Sequence, residues 1–310
     1  MATTSLAQPA IQSQTDAPTP LRLWHLTSLD APTVAVTWTL TFAWATQIRL
    51  PLWLPITLAL ASWSAYIADR LLDAYRAQKA INLHSESGAE TCSLIPVPYS
   101  LSLRPRHHFH WKHRRFFIPL ALAAALAALS LVLINMPLAA RERNSVLAAA
   151  ALAYFTSVHN PWRLPSPKFR LRLPKELLVA LIFTLACAIP TWTRIPTRRL
   201  ELLIPTLAFI ALAWLNCQAI ETWESATPRR NPIFPLAATL AAITALIATI
   251  FLAEHQTRIA ALLAAAATSA ALLALLDRHR HRVTPTTIRA AADLVLLTPL
   301  ALLIPTALGH

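Results

Sequence analysis

Residues Leu52–Arg76 read LWLPITLALASWSAYIADRLLDAYR. Leu52 to Ala68 is apolar and long enough to cross a bilayer, for which about 17–25 residues suffice. The segment that closes the run, YIADRLLDAYR from Tyr66 to Arg76, brings in Asp69 and Asp73 with Arg70 and Arg76 beside them. A spacing of four places the two carboxylates on one helix face, one turn apart, so both can address the same ligand. Carboxylates at a bilayer edge are costly to desolvate, which points to a cation or substrate site. The plainer reading is local pairing at a wetted helix end, Asp73 with Arg76 or Asp69 with Arg70.

The rest of the chain agrees with a membrane class. Of 310 residues, 56% are hydrophobic and 13% charged, the signature of a polytopic all-α membrane protein and not of a soluble domain. With two glycines against 24 prolines, alanine must supply the small surfaces through which helices approach. The formal charge of +13 does not imply nucleic acid, because the basic residues sit in short loops between apolar runs, where headgroups and orientation account for them. Cys92, Cys187 and Cys217 show neither metal-ligand nor disulfide spacing.

Residues 1–20, rich in Ala, Thr, Ser, Gln and Pro, read as a flexible tail and not as a signal peptide. Residues 21–310 form the transmembrane domain. LRLWHLTSL, Leu21 to Leu29, has the composition of a short interfacial helix. Apolar runs then predict spans near Pro32–Ile48, Leu52–Ala68, Phe116–Met136, Ser145–Val158, Leu177–Trp192, Leu202–Ala219, Ile233–Ala253, Ala260–Leu276 and Ala290–Ala307. That is about nine. If the loop after the second span is cytoplasmic, every Lys and Arg except Arg49, Arg141, Arg143, Arg194, Arg198, Arg199 and Arg258 falls inside. The asymmetry favours an inner-membrane protein with its N-terminus in the cytoplasm and its C-terminus on the opposite side. The cytoplasmic loops are then about 74–115, 159–176, 222–232 and 277–289.

A second acidic cluster closes the sixth span, LNCQAIETWE, with Asn216, Glu221 and Glu224. At 100° per residue the last two fall about 140° and about 80° from the first, within one sector. Two carboxylate pairs at one depth on different spans suit Mg²⁺, a hard cation that takes oxygen ligands and substrate phosphates. Alternatively Glu221 and Glu224 solvate a helix end near Arg229 and Arg230.

YIADRLLD resembles the first aspartate motif of the UbiA superfamily of intramembrane prenyltransferases, Asn-x-x-x-Asp-Arg-x-x-Asp at the cytoplasmic end of the second span. Asp69, Arg70 and Asp73 match it, and the Asn position holds Ala65. Asn216, Glu221 and Glu224 are the counterparts of the second motif on the sixth span, with Glu for Asp. The resemblance implies a helical bundle around a central cavity, Mg²⁺ as cofactor, a polyprenyl diphosphate as substrate and an acceptor, often an aromatic ring. It implies Asp69, Asp73, Glu221 and Glu224 as catalytic metal carboxylates, Asn216 as an auxiliary ligand and Arg70 as a diphosphate contact. It also places the two acidic motifs on opposite walls of one cavity, on the order of 10 Å apart. A catalytically inactive relative that binds a lipid or protein partner is the alternative. A transporter fits less well, since the acidic groups lie toward one face and not at the midplane.

RPRHHFHWKHRRFF precedes the third span, in the loop that caps the cavity in the family. The resemblance therefore makes Arg104, Arg106, Lys112, Arg114 and Arg115 candidate diphosphate contacts. His107, His110 and His113 recur every three residues, which allows a zinc reading or an interfacial basic segment. Lys175 can reach a diphosphate or serve as a positive-inside anchor. Asp293 stands at i, i+4 from Arg289 and can pair with it or face the cavity. Trp38, Trp44, Trp63, Tyr66 and Trp214 suit either isoprenoid contact or ordinary packing. No Gly-rich phosphate loop, HExxH or GxSxG pattern occurs.

Overall fold

The computed structural model describes residues 19–86, 105–159, 174–195, 199–224 and 232–304. Among these, regular structure is helical throughout. The helices are α1 (Pro20–Leu26), α2 (Asp30–Ala45), α3 (Trp53–Glu86), α4 (Pro105–Lys112), α5 (Arg114–Asn135), α6 (Leu138–His159), α7 (Lys175–Trp192), α8 (Leu203–Glu224), α9 (Ile233–Ala253), α10 (Thr257–His279) and α11 (Pro285–Val295), with a 3-10 turn over Thr298–Leu302.

Most of the apolar runs expected to cross the membrane fall largely on single helices, but the ninth, Ala290–Ala307, breaks where α11 ends at Val295, continues as a 3-10 turn and runs beyond the described residues. Among the described residues, six helical stretches are long and apolar enough to cross: Arg114–Asn135, Lys175–Trp192, Leu200–Glu224, Ile233–Ala253, Thr257–Arg282 and Pro285–Leu302. On α5 and α9, Leu122, Leu126, Leu129, Ile243, Leu246 and Ile250 are all exposed. Apolar surface on that scale requires lipid as its solvent. The chain is a multi-pass all-α membrane protein.

α2 is the axis of the core. Trp38 and Phe42 are fully buried, and Trp38 stacks on Phe209 of α8 with ring centroids 3.7 Å apart and 9° between planes. The Trp38 indole N–H donates to the Leu296 carbonyl at 2.9 Å, so a polar atom inside the core reaches a backbone group freed where α11 ends. α9 and α10 form an antiparallel pair that meets through alanines, including Ala248, Ala260 and Ala267. Small side chains let the backbones approach where glycine is absent.

The scarcity of glycine shows again at helix ends. α1, α2 and α9 each close with paired reversed hydrogen bonds: Leu29 N–H to Trp24 O and Ser28 N–H to His25 O, Ile48 to Ala43 with Gln47 to Trp44, and Gln256 to Phe251 with His255 to Leu252. Such a cap needs a left-handed residue, usually glycine. Here Ser28, Gln47 and His255 hold φ of 61°, 59° and 62°. α1 and α11 start alike, with Thr19 and Thr284 hydroxyls accepting from Arg22 and Thr287 amides and proline opening the helix.

α3 is longer than a bilayer needs. Its 34 residues continue as helix through Glu86, so the first part of the expected loop after the second span is a helical extension. AYRAQKAINLHSE lacks an apolar face but is rich in good helix formers, which carry the extension.

Candidate functional site

α1 ends facing the bundle, and this places His25 inside it. The residue is 1% exposed, and its Nδ1 lies 2.8 Å from Asp30 Oδ2 at the start of α2. Arg70 of α3 comes in from the other side: Nη2 donates to Asp30 Oδ2 at 3.3 Å and Nη1 to the His25 carbonyl at 3.1 Å. That carbonyl is exposed by the end of a short helix and makes a natural acceptor. The Arg70 guanidinium also lies over the Tyr66 ring, 4.8 Å from its centroid. At 2% exposure Arg70 is a buried cation, compensated by two oxygen acceptors and an aromatic ring.

A second half of the cluster comes from α8 and α11. Asn216 Nδ2 donates to Asp293 Oδ1 at 3.2 Å, and Arg289 donates to Glu224. Asp293 Oδ2 lies 3.8 Å from His25 Nδ1, which joins the two halves. Asp293 Oδ2 and Asn216 Oδ1 are buried and have no hydrogen-bond partner. Near this cluster, the Ser28 hydroxyl lies 3.1 Å from His110 Nε2 of α4. This bond ties the amphipathic segment before α5 to the turn between α1 and α2. Burial, reinforced by the positive charge of Arg70, pushes the His110 imidazole down to about 3. Burial also lowers His25, a shift that its hydrogen bond to Asp30 partly offsets.

The residues singled out in the sequence divide between this cluster and its surroundings. Arg70, Asn216 and Glu224 take part in buried or half-buried polar contacts. Asp69 and Asp73 flank Arg70 on α3 and are half-buried, while Glu221 is exposed. Of the two readings of Asp293, pairing with Arg289 is not the one formed: α11 packs on α8, so Arg289 meets Glu224 and Asp293 meets Asn216. On the basic segment, Lys112 is exposed, and Arg114 stacks on Trp111 at 4.6 Å and bonds its carbonyl. Of the three histidines, His110 is buried and His113 bonds Phe109 O. Lys175 is exposed at the first turn of α7. Arg104, Arg229 and Arg230, and the side chains of Arg106 and His107, lie outside the described residues.

Sequence reasoning missed His25, Ser28 and Asp30. The available signal was an aspartate opening an apolar run and a histidine one short turn before it, since ionisable groups at membrane depth demand partners. The oxygen donors of Asp69 and Asp73, one turn apart on α3, suit Mg²⁺ by chemistry. Glu224 is already engaged by Arg289 and would have to exchange that partner to join them. Comparison of the chain with protein-family models, curated proteins and solved structures found no match.

Proposed function

We propose that the chain is a UbiA-like membrane protein, a bundle of about nine spans around a cavity open to the cytoplasm, that transfers a prenyl group from a polyprenyl diphosphate to an acceptor. The observation that supports this reading is the linkage of the two motif stretches. Arg70 from the first and Asn216 from the second meet one continuous polar cluster through Asp30, His25 and Asp293. Through this cluster α3 and α8, which carry the acidic residues, are joined.

In this reading Asp69 and Asp73 hold Mg²⁺, with Glu221 and Glu224 as the opposing carboxylates. Bound Mg²⁺ supplies charge neutralisation for the departing diphosphate. Lys112, Arg114 and Lys175 offer further cations to its oxygens. The allylic C–O bond breaks, pyrophosphate leaves, and the acceptor attacks the resulting carbocation. The protein lies in the inner membrane with its basic loops in the cytoplasm.

The test is Mg²⁺-dependent pyrophosphate release from a polyprenyl diphosphate by the purified full chain in lipid nanodiscs. Release that falls by at least about tenfold in Asp69→Asn and Asp73→Asn is the expected result. Equal and negligible release by wild type and both variants would sink the enzyme reading. The engagement of Glu224 by Arg289 favours a second reading, a non-catalytic relative that binds a lipid. Retained binding of an unreactive prenyl thiodiphosphate without release would select it.

A further inference from the structure

The buried polar cluster carries one more carboxylate than its arginines answer. Asp30 is met by Arg70 at 3.3 Å, and Glu224 is met by Arg289. Among the described residues, the ion pair of Asp293 is with the His25 ring at 3.8 Å. Its Oδ2 is buried without a hydrogen-bond partner, and so is Oδ1 of the adjacent Asn216, a residue only 4% exposed. A carboxyl oxygen withdrawn from water without a hydrogen-bond partner is costly, and a bound cation is one remedy.

We propose that His25 Nδ1, Asp30 Oδ2 and Asp293 Oδ2 form a site for a divalent transition-metal ion of the zinc class. The three atoms all lie within 4.8 Å of one another and come from three separate elements, α1, α2 and α11. Bonds of about 2.0–2.2 Å in tetrahedral geometry hold ligand atoms roughly 3.4 Å apart. The observed His25–Asp30 and His25–Asp293 separations of 2.8 and 3.8 Å bracket that value. One imidazole nitrogen with two carboxylate oxygens suits zinc or cobalt, whereas Mg²⁺ favours oxygen alone. Asn216, bonded to Asp293 through Nδ2, leaves its Oδ1 buried without a hydrogen-bond partner. On binding, the neutral His25 ring carries its proton on Nε2, and Nδ1 turns its lone pair to the metal. Arg70 keeps the His25 carbonyl and the Tyr66 face as partners. The site is distinct from the Asp69/Asp73 pair and does not depend on prenyl transfer.

The experiment uses the purified full chain, stripped with a chelator and titrated with Co²⁺ followed by visible absorption, then with Zn²⁺ against a chromophoric chelator. The expected result is about one ion per chain, a Zn²⁺-dependent rise in melting temperature, and affinity reduced at least about tenfold in His25→Gln and Asp293→Asn. Asp69→Asn leaves the affinity unchanged. Absence of a stoichiometric ion in the folded wild type overturns the proposal, as does undiminished affinity in folded His25→Gln and Asp293→Asn. So does an infrared band of a protonated Asp293 carboxyl that metal does not alter. If both variants fail to fold, the wild-type stoichiometry and melting shift decide. Pyrophosphate release is read separately, so either result stands without the other.

Discussion

Asn216 and Asp293, 77 residues apart in the chain, share a buried hydrogen bond of 3.2 Å between α8 and α11. Removing the donor strips Asp293 Oδ1 of its partner while Oδ2 already lacks one. Asn216→Ala is expected to lower stability by about 1–3 kcal/mol, the cost of an unsatisfied buried acceptor. Denaturation of the detergent-solubilised protein checks this, and Asp293→Asn in the same background should recover part of the loss.

Arg70 bridges three elements through Asp30 and the His25 carbonyl. Arg70→Met leaves Asp30 buried with its arginine gone, and a loss of about 3–5 kcal/mol is expected. The double variant Arg70→Met with Asp30→Asn should be less destabilised than Arg70→Met alone. A melting series of the two singles and the double measures the coupling.

The His110 ring is held neutral in the native state. Its folded value of about 3 lies below the ordinary value of 6.5. A group whose folded pKa is depressed in this way contributes fully above the unfolded value, and the contribution falls as pH drops toward the folded value. Stability should therefore decline below about pH 6.5, by roughly 2 kcal/mol at pH 5. Replacement by a non-titrating hydrogen-bonding residue, His110→Gln, should flatten the slope of melting temperature against pH between 5 and 6.5. His25, also lowered by burial, adds slope in the same direction.

Trp38 contributes both a stacked face and a donor. Trp38→Ala removes the stack on Phe209 and the bond to the Leu296 carbonyl, and a loss of about 3–5 kcal/mol is expected. Trp38→Phe keeps an aromatic ring and gives up the N–H bond. It should cost distinctly less in the same denaturation assay.

Gln47 caps α2 with φ of 59°, a conformation that penalises any side chain with a Cβ. Gln47→Gly is expected to raise stability by about 1 kcal/mol, visible as an increased melting temperature. The equivalent change at Ser28 should not help, because the lost hydroxyl also abandons His110.

The helices were legible because lipid imposes long uninterrupted apolar runs, although the last expected run breaks after Val295 into a 3-10 turn. The continuation of α3 to Glu86 was hidden, since AYRAQKAINLHSE is polar and shows no apolar period to read. Arg70 and Asn216 were visible through their motifs. Their partners were not: Asp30 and His25 acquire meaning only when α1 turns back against α3. Spacing allowed Asp293 to pair with Arg289 or to face the interior, and the packing of α11 on α8 aims the two side chains at different partners. Local spacing predicts proximity along one helix, and tertiary packing decides which neighbour wins.

The bond from Trp38 to Leu296 spans 258 positions, and His25 likewise faces Asp293 near the far end of the chain. A ribosome delivers the first of these partners long before the second. Until α11 is made the indole and the imidazole therefore lack these partners, and α1 and α2 reach their final bonding only once α11 is in place.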